Sequence, residues 1–193
     1  MSLTSKKNQE IFKQIMEIAN NFNSEKENYL QAYSYFLNYF RKIDRIQLDD
    51  IVIGISFTYS WMPTILKKID LTNSENLILI LNKVKNGEVI SIEEINLLKQ
   101  AFNNSLVGTS KLLHFINPNK YAIWDSRVFK FLSGEKSYIS KFKQAEIYIE
   151  YLQLLDNLKL EEDFNIFFTI IQHKVGYEIS EYRALELAFY KGG

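Results

Sequence analysis

Apolar residues recur at spacings of three and four along most of this chain. Ile11, Ile15, Ile18 and Phe22 form one such stripe with polar residues between them, which predicts a first amphipathic helix. Tyr29, Tyr33, Phe36 and Phe40 form a second, flanked by Ala32 and Tyr39, within a helix expected over 24–43. At that spacing an aromatic stripe reads as core rather than as a surface for stacking bases. Leu77, Ile80, Leu81 and Val84 predict a helix over 73–84, and Asn86-Gly87 marks the turn after it. Ser91 followed by Glu94 is a capping-box pattern that opens a helix through Ile95, Leu98 and Phe102. Further helices are expected over 109–116, 126–132, 140–158 and 162–173, and a last one capped by Ser180.

One stretch breaks the pattern. Ile51, Ile53, Ile55 and Phe57 alternate as a strand would. No second strong strand is available to pair with them, and an isolated strand leaves its backbone groups unsatisfied. Helix or irregular structure is therefore expected there. Pro63 resets the chain, since the residue before a proline disfavours helical geometry, and a helix is expected to restart at Thr64. No repeat, low-complexity tract or Gly/Pro-rich linker interrupts the sequence. The expected architecture is all-α, one compact multi-helix domain over residues 1–193.

Composition narrows the chemistry. The chain has 193 residues, 14 Phe, 12 Tyr, two prolines and no cysteine. The missing cysteine excludes disulfide frameworks, Cys-ligated metal centres and thiol nucleophiles, and it suits a reducing cytoplasm, the expected location. No run nears the roughly 20 apolar residues that span a bilayer, and the first ten residues lack the apolar core of a signal peptide. No membrane partner is expected. The 23 basic and 23 acidic residues cancel, whereas dedicated nucleic-acid binders usually carry a basic excess. The charge is unevenly placed, however. Lys120, Arg127, Lys130, Lys136, Lys141 and Lys143 face only Asp125 and Glu135, and the segment after them is acidic from Glu146 to Asp163.

The stretch LVGTSKLLHFINPNKYAIWDSRV, from Leu106, carries most of the functional information. It divides into a glycine-containing turn, a short helix, a loop at Asn117-Pro118-Asn119, and an apolar approach to Asp125 at the start of a new helix. An aspartate there is first of all an N-cap, favoured by the helix dipole and exposed amides. The order helix, glycine turn, helix, loop and then Ala122-Ile123-Trp124-Asp125-Ser126-Arg127-Val128 resembles the helix-hairpin-helix DNA glycosylase superfamily. The resemblance implies that Asp125 stabilises positive charge on a sugar or helps to activate the attacking nucleophile. It implies that Gly108, Thr109, Ser110, Arg127 and Lys130 meet DNA, and that Tyr121 and Trp124 line a base pocket. Lys111 is the only nearby amine for the Schiff-base role found in strand-cleaving members. Double-stranded DNA is then the partner, with no cofactor and no metal.

Other polar features are plainer. His114 lies on an apolar helix and reads as a hydrogen-bonded, semi-buried side chain; His173 near a helix end suits the dipole there. Two distant histidines do not make a metal site. Glu181 to Glu186 around Arg183 reads as a surface ion-pair cluster. The competing expectation is a non-enzymatic helical interaction protein, antitoxin-like, an immunity protein or a phage-defence accessory, whose partner is another protein.

Overall fold

The structure, a computed structural model, describes residues 3–23, 30–61, 65–135 and 140–193. Ten α-helices occur among these residues: α1 (Asn8–Asn21), α2 (Leu30–Arg41), α3 (Leu48–Trp61), α4 (Ser74–Lys85), α5 (Ile92–Ala101), α6 (Leu106–Ile116), α7 (Ser126–Ser133), α8 (Ala145–Leu158), α9 (Phe164–Val175) and α10 (Glu181–Gly192). A short 3-10 helix, Ser140–Lys143, precedes α8. The all-α expectation is met. No described helix is long and apolar enough to cross a membrane.

The chain gathers into two compact units. One contains α1 and α7 to α10, the other α2 to α6. Each is built round a helix buried on nearly every side. In the first that helix is α10, packed against α1, α7 and α9, with every residue from Tyr182 to Phe189 buried. In the second it is α6, which meets α2, α3, α4 and α5 and exposes little besides Val107 and Lys111.

The ambiguous alternating stretch is helical. Within α3, Ile51, Ile55 and Tyr59 point inward, while Ile53 is 47% exposed, so only part of the apparent strand pattern faces the core. Pro63 and Thr64 lie outside the described residues, as do 24–29 and with them Tyr29. The helix expected to restart at Thr64 does not continue into 65–73, a correction with a clear cause. Asn103 takes over that backbone: Oδ1 accepts from the amides of Lys67 (3.0 Å) and Lys68 (2.7 Å), and Nδ2 donates to Ile65 O (3.0 Å). Ile69 forms an isolated bridge to Phe102, and Asp70 N donates to Ala101 O.

Lysines close helix ends from a distance within each unit. Lys174 Nζ donates to Ala19 O (2.9 Å) and Asn20 O (2.5 Å) at the end of α1. Lys6 Nζ reaches Phe131 O on α7 (3.1 Å), and Lys85 Nζ reaches Phe40 O on α2 (2.9 Å). A cation at a helix C-terminus meets unsatisfied carbonyls and the negative end of the dipole.

Candidate functional site

Asp125 caps α7. Its backbone is extended (φ −146°, ψ 180°), and Oδ1 accepts from both Arg127 N (2.9 Å) and Val128 N (3.0 Å). Oδ2 has no hydrogen bond among the described residues, and the side chain is partly exposed. One oxygen is thus anchored by two helix amides while the other is available. A carboxylate so held can oppose a developing positive charge without first reorganising.

The approach to Asp125 is a buried, non-helical segment in a helical unit, so its carbonyls have no ladder to join. Side chains fill that role. Tyr148 Oη donates to Ala122 O (2.9 Å) and Tyr151 Oη to Ile123 O (3.2 Å). Trp124 is fully buried, its indole N–H donating to Phe142 O (3.0 Å) and its ring packed on Phe129, Phe142 and Tyr151. Burial pushes the Tyr151 phenol well above its ordinary pKa, reinforced by the negative charge of Glu186. Sequence reasoning passed over Tyr148 and Tyr151. The signal lay in two tyrosines three apart on an apolar helix face, since a buried phenol needs a partner.

The hairpin lies in the other unit. Its turn is made not by glycine but by Asn103 and Asn104, both in the left-handed region (φ 58° and 51°), a conformation asparagine tolerates. Ser105 caps α6, its Oγ accepting from Gly108 N (3.1 Å). Gly108 is therefore inside the helix. A side chain there would meet Tyr59, whose Oη lies 2.6 Å from the Cβ position. Thr109 and Ser110 are fully buried, and Ser110 Oγ donates back to Val107 O. Of the residues expected to meet DNA, Gly108 thus gives its amide to a cap, and Thr109 and Ser110 turn their hydroxyls to the interior.

Tyr121 and Trp124, the expected base-pocket residues, are both buried. Tyr121 is 2% exposed; its hydroxyl donates to Glu88 O (2.9 Å) and accepts from Ile90 N (3.2 Å), tying down the turn after α4. Trp124 is committed to core packing as described. Lys111 holds its ammonium 5.1 Å over the Trp61 ring. Arg127 and Lys130 are exposed on α7, with the Arg127 guanidinium 4.7 Å over Tyr190. Asp125 and these two cations belong to the first unit, Lys111 to the second.

His114 is fully rather than partly buried. Nδ1 faces Tyr121 O (2.7 Å), an acceptor, so Nδ1 donates there, and Nε2 is hydrogen-bonded to Tyr33 Oη (2.7 Å). The supposed surface cluster on α10 is also corrected. Arg183 and Glu186 are 1% and 2% exposed and form an ion pair one helical turn apart inside the first unit. No three His, Asp or Glu side chains gather around a common point among the described residues. No family model, curated protein or solved structure matches this chain.

Proposed function

We propose that the chain acts on DNA as a monofunctional glycosylase of helix-hairpin-helix type, with Asp125 as its working carboxylate. The observation that carries this reading is the state of Asp125: Oδ1 fixed by the Arg127 and Val128 amides, Oδ2 without a hydrogen bond among the described residues. The order α5, turn, α6, loop, Asp125, α7 supports it. In the reaction the C1′–N bond breaks and its electron pair leaves with the base. Positive charge develops on the sugar, where the carboxylate opposes it. Water then bonds to C1′, and the proton it gives up ends on the departed base, leaving an abasic site. Arg127 and Lys130 supply cations beside the carboxylate for backbone phosphates.

Lys111 has no part in the chemistry. Its ammonium sits over the Trp61 ring, and hydrolysis by water needs no amine nucleophile. The strand is therefore left intact.

Duplexes carrying uracil, hypoxanthine, alkylated adenine or oxidised guanine, followed by alkali to reveal abasic sites, provide the test. Excision by the wild type should fall about a hundredfold or more in Asp125→Asn, with no borohydride-trapped adduct. No excision from any of these duplexes would sink the glycosylase reading, and no salt-sensitive binding would remove DNA as a partner as well.

A helical interaction protein is the second reading. It draws on Tyr35, Ile65 and Val89, which are 75%, 77% and 81% exposed in one unit. Light scattering that shows self-association, alongside blank DNA assays, would favour it.

A further inference from the structure

We infer that Tyr148 and Tyr151 are positioning residues for Asp125, their hydroxyls holding the segment from which the carboxylate reaches the amides of α7. The inference rests on the proposed role of Asp125. Ala122, Ile123 and Trp124 are each no more than 1% exposed, so solvent cannot satisfy their carbonyls. The two phenols do so for Ala122 and Ile123. Their spacing suits the task. Residues three apart are neighbours on one face of a helix, so the two phenols leave α8 side by side toward this segment. Neighbouring carbonyls can therefore each find one hydroxyl.

Packing alone does not account for the tyrosines. Both are fully buried, where phenylalanine would fill nearly the same space without a hydroxyl to satisfy. What the hydroxyls add is a fixed path for the three residues before Asp125. The Trp124 indole, held by Phe142 O, anchors the last of them. A carboxylate whose backbone drifts by an ångström loses its two-amide grip, and with it the aim of the second oxygen.

The test uses the full chain with Tyr148→Phe, Tyr151→Phe and both together, read by amide hydrogen exchange. The amide of Arg183, which Ser180 caps on α10 in the same unit, is the internal reference. Exchange at Arg127 and Val128 should speed up about tenfold or more in the double variant, with Arg183 unchanged, as it should in Asp125→Ala. Wild-type protection at Arg127 and Val128 overturns the inference. So does a loss shared equally with Arg183, which reports general loosening. If the double variant does not fold, each single variant carries the same comparison. This readout needs no substrate. Where the wild type excises a base, kcat should fall in the tyrosine variants at unchanged KM. Where it excises none, the glycosylase reading fails while the exchange result still decides the positioning role.

Discussion

The Tyr59 phenol occupies the space that any side chain on Gly108 would need: a Cβ there would lie 2.6 Å from Oη and 2.8 Å from Cε2. The glycine is thus explained by close packing of α3 on α6 and not by a special backbone angle. Gly108→Ala should destabilise by about 1–3 kcal/mol through overpacking, although alanine is the better helix former by about 1 kcal/mol. Tyr59→Leu should relieve most of that cost, so urea titrations of the pair should show strong non-additivity. A neutral or stabilising Gly108→Ala would show the contact to be soft.

Arg183 and Glu186 form a buried pair, and removing one member takes from the other its ion-pair partner in the interior. Arg183→Met should cost about 3–5 kcal/mol, while Arg183→Met with Glu186→Leu should recover most of it. Thermal melts of the three proteins measure this. Equal losses in the single and double variants would argue against the pair as the source.

Asn103 acts as a substitute strand edge for residues 65–68. Asn103→Gly keeps the left-handed turn but removes three hydrogen bonds, so the amides of Lys67 and Lys68 should exchange about tenfold faster or more. Asn103→Asp keeps the acceptor and loses the donor to Ile65 O, and should fall between. Unchanged exchange in the glycine variant would mean that the segment is held by other contacts.

Tyr39 donates to Asp50 Oδ1 (2.9 Å), and its pKa is raised from 10.0 to about 12, by desolvation first and then by that hydrogen bond. A raised pKa in the folded state means that the folded state binds the proton more tightly. The stabilisation is complete below pH 10.0, and is lost as pH climbs to about 12. Tyr39→Phe should flatten the alkaline decline in stability over that window. An identical decline in the variant would assign it elsewhere.

Local signals in the sequence survived folding because they depend on nearby atoms alone. The Ser91/Glu94 capping box forms in both directions, and Ser180 and Asp125 cap as read. What was hidden depends on the third dimension. Arg183 and Glu186 look like solvated charges until helices pack around α10. Lys6, Lys85 and Lys174 look like surface lysines until each meets a helix end from elsewhere in its unit. Tyr121 and Trp124 show the same limit at the candidate site: an aromatic beside a reactive carboxylate reads equally well as pocket wall or as core, and only burial decides. The helix expected after Pro63 yields to 65–70 because Asn103 offers those amides better partners than a helix start would.

The two tryptophans fall one to each unit: Trp124, sealed from water beside its Phe142 carbonyl, and Trp61, half-buried under the Lys111 ammonium. The chain therefore carries a native optical label in each half. Trp124 should emit at short wavelength and resist iodide or acrylamide, while Trp61 should emit further to the red and quench readily. Replacing either by phenylalanine would let a single fluorescence melt follow the remaining half alone, and so reveal whether the two unfold in one step.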